Sequence, residues 1–361
     1  MGFVAHDLGV DLGTSNTLVY VKHKGIMISE PTIVVVDAGN ERKVRAVGDD
    51  AKIMLGRTTE GVMAVRPMRE GVITDFDMTE IMIQYFMRKA IGSSYLVKPR
   101  LFLSYPCSIS AIERRAVGEA AKYAGSRKVM LVEKPFAAAL GSGLPVFDPN
   151  GCMVVDIGGG TTDAAVISLG GVVISHSVRV GGVKMDEAII DFIKREFNIL
   201  IGDRTAEEVK LDLGSALPLR DERRARIRGR DMVTNLPQTT EITSTQIYEA
   251  LHEPCMAILG AIKWVLERTP PSWPPTSCTT ASTSPAAGPC STAWTSSSLA
   301  SWASRCFCPR SRWTAPPWAW ATSSKTTSFW STWAAPASSS HSDGCRPGGR
   351  KHLEDCRRAE H

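Results

Sequence analysis

Chemistry concentrates at Val154-Val155-Asp156-Ile157-Gly158-Gly159-Gly160-Thr161-Thr162-Asp163, followed by Ala164-Ala165-Val166-Ile167-Ser168. An apolar run ends in a carboxylate, three glycines and two hydroxyls before a second apolar run begins, which predicts strand, tight turn, strand. Glycines let a backbone adopt left-handed conformations and approach a bulky anion. Successive N–H groups in such a turn form a concavity that binds phosphate. A carboxylate cannot itself ligate phosphate, so Asp156 suits a hydrated Mg²⁺ bridging phosphates. The same residues also describe a glycine-rich hairpin with no ligand.

The N-terminal region repeats the design 145 residues earlier. Leu8-Gly9-Val10-Asp11-Leu12-Gly13-Thr14-Ser15-Asn16-Thr17, then Leu18-Val19-Tyr20-Val21, again gives strand, Asp, Gly with small polar residues, strand. Two such hairpins in one chain resemble the paired phosphate loops of the actin, Hsp70 and sugar-kinase superfamily. Within it the chain is similar to the MreB family of bacterial actins. That likeness rests on Asp11 to Thr17, Arg66-Pro-Met-Arg-Glu-Gly-Val-Ile73, Glu113-Arg-Arg115, Val154 to Thr162, Met185-Asp-Glu-Ala-Ile189 and Ile201-Gly-Asp-Arg-Thr-Ala-Glu-Glu-Val-Lys210. It runs nearly without gaps from about Asp7 to Pro271.

The resemblance implies an α/β, actin-like (ribonuclease H-like) fold. Two domains, each on a five-stranded sheet, would face across a nucleotide cleft. Residues 1–140 would form the first domain, 141–271 an incomplete second one, and 272–361 an aberrant tail. It further implies ATP and Mg²⁺ as ligands. Gly13, Thr14, Ser15, Asn16, Gly158, Gly159, Gly160 and Thr161 would hold the phosphates. Asp11 and Asp156 would orient metal-bound waters, and Glu207, Glu208 and Lys210 would flank the adenosine end. Thr205-Ala-Glu-Glu208 also reads as a helix capping box, a second use for Glu208. Relatives carry Glu-Glu-Pro where this chain has Glu133-Lys134-Pro135. A cation at Lys134 can pair with phosphate or swing to solvent, but it cannot take a proton from water at neutral pH. Binding is therefore expected ahead of hydrolysis, with at most weak ATPase activity.

The implied role is a filament that assembles with itself at the inner face of the cytoplasmic membrane and works with cell-wall synthesis and morphogenesis proteins. Tyr95, Leu96 and Val97, followed by Lys98 and Arg100, suit shallow insertion into an anionic bilayer, or the start of the next strand. The rival reading is a monomeric ATPase of the same superfamily, a chaperone or sugar kinase. A kinase would need a catalytic Asp and sugar pocket, and a chaperone a long substrate domain; neither is visible.

The elements that must position these residues read as alternating strands and helices. Short strands are predicted at Leu8 to Val21 and Ile26 to Asp37, then a helix over Asp77 to Ile91 from Ile81, Met82, Tyr85, Phe86 and Ala90. A strand at Leu101 to Tyr105, a helix at Ile109 to Tyr123, a strand at Val129 to Val132 and a helix at 135–139 follow. Beyond the glycine turn come strands over Gly170 to Val180 and helices over Met185 to Phe197, Thr205 to Leu213 and Thr243 to Leu266. Thr243 and Gln246 form a capping box, and Pro254 should kink the last helix.

The 361 residues suit two domains. No apolar run reaches the roughly 18 residues of a membrane span. The start has neither a signal peptide's basic region nor a good myristoylation sequence, so a cytoplasmic location is expected. Residues 270–361 hold 9 of 42 basic and 4 of 37 acidic residues. The remainder therefore balances, and the net charge of +5 gives no reason to expect a nucleic-acid partner.

From Pro270 the text changes. No Val or Ile follows Val265, while eight of nine Trp and six of nine Cys fall here among Ser, Thr, Pro and Ala. No period survives, and Cys306-Phe-Cys308 has no metal-ligand spacing. An altered reading frame accounts for this, with the family's adenine-binding glycine turn lost after Pro271. ATP binding by the chain as written is accordingly expected to be weak, and an inactive product is a third possibility.

Overall fold

The computed structural model describes residues 6–54, 61–92, 98–149, 151–270 and 277–281. The first half contains β1 (Asp7–Leu12), β2 (Asn16–Val21), β3 (Gly25–Pro31), β4 (Val34–Asp37), β5 (Asn40–Val47), α1 (Asp49–Met54), β6 (Val62–Val65), β7 (Met68–Arg69) and β8 (Val72–Ile73). It continues with α2 (Phe76–Ile91), β9 (Arg100–Tyr105), α3 (Ala111–Tyr123), β10 (Lys128–Glu133) and α4 (Lys134–Gly141). A five-stranded sheet of order β10-β9-β1-β2-β3 forms its centre, as the resemblance implied. β1, β9 and β10 run parallel, whereas β1, β2 and β3 form an antiparallel meander. α2 starts where the Asp75 carboxylate accepts from the Met78 N–H, and α3 where Ser110 and Glu113 close a capping box. Leu8, Val10, Leu101 and Leu103 bury against Met82, Phe86, Val117 and Ala121 to form the first core.

The second half contains β11 (Cys152–Ile157), β12 (Thr162–Ser168), β13 (Gly171–Val178), α5 (Gly182–Phe197), β14 (Ile199–Leu200) and α6 (Asp203–Leu213). β15 (Arg224–Asp231), β16 (Pro237–Thr243), α7 (Ser244–Arg268) and β17 (Ser277–Ala281) complete it. Every residue of β11 and β12 is buried, because the sheet is covered on both faces. Met153, Val155, Ala164 and Val166 face a core built with α5, α6 and α7. Cys152, Val154, Ala165 and Ile167 face Phe136, Ala139 and Leu140 of α4. α4 therefore packs on the second sheet, and the chain changes sheets at Glu133–Lys134.

Four strands, β13-β12-β11-β17, make the second sheet among the described residues, one fewer than the resemblance implied. β17 lies in the compositionally foreign tail, yet it pairs in parallel with β11. Ladder hydrogen bonds need only backbone, so an open sheet edge can pair with text that carries no apolar pattern. α7 begins at the expected Thr243–Gln246 capping box and runs through Pro254 without interruption. α6 departs from expectation. It begins at Asp203 after Gly202, which places Thr205 inside the helix, and Glu208 pairs with Arg204 at 3.0 Å in place of a cap. No helix among the described residues is long and apolar enough to cross a membrane.

Candidate functional site

The parallel strands β1, β9 and β10 end on one side of the first sheet, and ligands of open α/β sheets bind beyond such carboxyl ends. Asp11 lies near the end of β1, Ser104 near the end of β9, and Lys134 directly after β10. From the other half, the β11–β12 turn enters the same space. Asp11, Gly13, Thr14, Ser15, Asn16, Lys134, Gly158, Gly159, Gly160 and Thr161 line one open cleft. Both predicted hairpins therefore meet in a single site.

Glycine is required here by close approach. A Cβ on Gly159 would stand 2.1 Å from Ser15 Oγ, and one on Gly160 would stand 2.3 Å from Thr14 Oγ1. The two turns touch because neither glycine has a side chain. Each turn is closed by its own backbone, Gly13 N–H donating to Asn16 at 3.1 Å and Gly158 N–H to Thr161 at 2.8 Å. Behind the second turn sits the N-terminus of α5. Gly182 N–H donates to the Gly158 carbonyl at 3.0 Å, and Val183 N–H to the Gly159 carbonyl at 2.8 Å. This fixes the carbonyls of the turn, so the N–H groups of Gly159 and Gly160 are the ones that could face an anion.

Three residues or segments of the site escaped sequence reasoning. The β7–β8 turn places Glu70 at φ 47° and Gly71 at φ 78°, the left-handed pair a two-residue hairpin requires. Gly71 N–H donates to Thr14 Oγ1 at 3.1 Å, and Glu70 meets Arg179 of the other half at 3.5 Å. Asp163, almost fully buried, accepts from Cys107 N–H at 2.9 Å and from Thr161 Oγ1 at 3.3 Å. It thereby ties the end of β9 to β12. Burial pushes its carboxyl up, against the pull of the Cys107 N–H and Lys134. Burial likewise raises the Cys107 thiol far above its ordinary value, with Asp163 adding to it, so this cysteine is no nucleophile. The Arg-Glu-Gly triplet at 69–71 carried a turn signal; nothing local to Asp163 distinguishes it from a solvated strand end.

Lys134 does not swing to solvent. Its side chain is 9% exposed, and its ammonium lies 3.1 Å from Asp11 Oδ1, which also accepts from Ser104 Oγ. Burial disfavours its charge, but Asp11, Asp156 and Asp163 outweigh that and hold its pKa above the lysine range. A permanently protonated amine cannot accept a proton from water. It also sits where a divalent cation would be held, so the donor set as it stands does not fit Mg²⁺ well.

Glu207, Glu208 and Lys210 stand apart from the cleft lining. Lys210 is buried, pairing with Asp186 at 2.7 Å and donating to the Gly182 carbonyl at 3.0 Å. It links α6 to the start of α5 and so supports the phosphate turn from behind. Asp186 is pushed up to about 6 by burial, against the pull of Lys210. Glu207 is half-buried and Glu208 exposed. Arg66 of the first half meets Asp203 of α6 at 3.3 Å. Tyr95, Leu96 and Val97 lie outside the described residues.

Comparison with known proteins gives a consistent picture. The model of the family described as MreB/Mbl protein matches residues 5–274. The chain is 48% identical over 267 residues to the cell shape-determining protein Mbl of Bacillus cereus, covering 74% of this chain and 80% of that one. It is also 48% identical over 274 residues to the cell shape-determining protein MreB of Escherichia coli, covering 75% and 79%. Among solved structures, MreB 5 of Spiroplasma citri bound to AMPPNP superposes with a TM-score of 0.70 at 34% identity, covering 74% and 80%. The family model ends at residue 274.

Proposed function

The chain belongs to the MreB/Mbl family, and from that premise we propose that it is an ATP-binding, actin-like filament protein of cell shape. It would polymerise at the inner face of the cytoplasmic membrane and work with cell-wall synthesis and morphogenesis proteins. The observation that carries the nucleotide reading is the contact of Gly159 with Ser15 and of Gly160 with Thr14, which joins two turns of backbone donors into one anion site. The related Spiroplasma citri structure holds AMPPNP. In this reading the N–H groups of Thr14 to Asn16 and of Gly159 to Thr161 orient the phosphates, and Lys134 supplies a fixed positive charge. With no base at Lys134, hydrolysis is slow and binding is the principal chemistry.

Membrane contact rests on Tyr95, Leu96 and Val97 beside Lys98 and Arg100, and self-assembly on the family. The tail from 272 replaces the adenine wall of the pocket. Shifting the reading frame by one base near codon 272 is expected to return a glycine turn and Val/Ile-rich text. Both chains are then spun with ATP and anionic liposomes. The frame-restored chain should pellet with vesicles only when ATP is present, and the chain as written should bind ATP weakly. If both chains stay in the supernatant under all conditions, the filament reading fails and a monomeric ATPase of the same fold remains.

A further inference from the structure

We propose that Lys134 is a built-in cation that takes the place of a divalent metal at the acidic end of the cleft, making polyphosphate binding by this chain metal-independent. The ligand half of this inference rests on the reading of the cleft as a phosphate site. The cation half does not.

Lys134 is the first residue of α4, a helix with no acidic residue in its first turn. An ammonium is least favoured at that end, where the helix dipole is positive. It is also buried, which penalises charge again. Two unfavourable placements are tolerated only because of what faces the group. Asp11 Oδ1 lies 3.1 Å away, and Asp156 and Asp163 stabilise the same charge from the second sheet. Glu133, the preceding residue, is turned toward the Tyr105 hydroxyl at 3.5 Å. The ammonium is therefore paired with Asp11 of β1 and lies in the field of Asp156 on β11 and Asp163 on β12, acids from both halves of the molecule.

A metal ion beneath a polyphosphate does the same two things: it gathers carboxylates from both walls and offers positive charge to the anion. Lys134 lines the cleft together with the glycine turns, so an entering phosphate meets its ammonium directly. Lysine serves there as a point charge. A hydrated Mg²⁺ placed at Asp11 would be repelled by the charge already present.

The test uses the full chain, with Lys134→Met and Lys134→Arg. Thermal unfolding is followed in EDTA and in millimolar Mg²⁺, with no nucleotide. Wild type and Lys134→Arg should not respond to the metal. Lys134→Met should melt lower in EDTA and regain about 5 °C or more with Mg²⁺, which then serves the exposed carboxylates. If Lys134→Met folds only when refolded with Mg²⁺, that is the same result. A wild-type midpoint that rises with Mg²⁺ as far as the variant's, or a variant indifferent to Mg²⁺, overturns the assignment. Inorganic tripolyphosphate, which needs no adenine wall, is then titrated calorimetrically. Wild-type affinity should agree within about twofold in Mg²⁺ and EDTA, whereas Lys134→Met should lose about tenfold in EDTA. A wild type that binds only with Mg²⁺ refutes metal independence. No binding by any chain, with the Mg²⁺ rescue intact, supports the cation assignment and overturns the phosphate reading of the cleft.

Discussion

Replacing Gly181 by Ala should separate the second phosphate turn from the helix that supports it. Gly181 precedes α5, and its backbone is extended, so the consequence is one of space rather than strain. A Cβ there would stand 2.4 Å from the Gly158 carbonyl oxygen and 2.9 Å from the carbonyl carbon and oxygen of Gly159. These are backbone atoms of the buried turn and cannot rotate aside. The helix start must withdraw by about 1 Å, which breaks the two hydrogen bonds from Gly182 and Val183 to the turn. Each is worth about 1 kcal/mol net, and overpacking adds about 1–3 kcal/mol. The loss is about 3–5 kcal/mol, or on the order of 10 °C in the unfolding midpoint. Thermal and urea unfolding measure it, and tripolyphosphate titration should show weakened binding. Gly202→Ala is the control, since a Cβ there meets nothing within 4 Å. Its effect should stay within about 1 kcal/mol, the cost of Ala at a helix N-cap. A Gly181→Ala midpoint within about 2 °C of wild type would refute the close packing of turn on helix.

Gly260 is exposed in the middle of α7, and a Cβ there meets nothing within 4 Å. Gly260→Ala should stabilise the chain by about 0.5–1 kcal/mol in urea unfolding, and a loss of stability would mean that this face of α7 is covered. Asp186 has its folded pKa raised from 3.8 to about 6, so the folded state binds more protons than the unfolded state between those values. Its contribution to stability is present below about pH 4 and is lost as pH rises through about 6, a change of about 3 kcal/mol. Asp186→Asn lacks this slope, so its stability relative to wild type should improve between about pH 4 and pH 7 by up to that amount. A difference that stays constant with pH means that burial does not set the Asp186 carboxyl.

Both glycine turns were legible in the sequence because their signal is local. An apolar run, an Asp, glycines and hydroxyls within ten residues specify strand, turn and strand without reference to the rest of the chain. The helices over 76–91, 111–123 and 244–268 were equally legible from spacing and, for the last, from the Thr243–Gln246 capping box. The capping motif at Thr205 misled. Its residue types match, but Ile201 is buried beside β14 and Gly202 takes the extended N-cap position, so α6 starts earlier. The segment from Arg224 to Thr243 carried no reading, yet it forms the β15–β16 hairpin. There Ile227 and Ile242 are buried in the core and Ala225 packs against it, too sparse an alternation to recognise.

By itself the sequence determined the family, the two glycine turns and the strands and helices that flank them. Those properties depend on neighbours a few residues apart, and they survive whatever the distant chain does. Only the tertiary structure decided that Gly159 and Gly160 touch Ser15 and Thr14, that Asp163 joins the site, and that α4 packs on the second sheet. It also decided the two lysines. Lys210 is drawn behind the turn by Asp186, and Lys134 is drawn into the cleft by Asp11. A lysine's side chain reaches solvent from almost any backbone position, so its sequence neighbours leave its direction open. Its direction is set by carboxylates that arrive from distant strands, and these outweigh the cost of burying the charge.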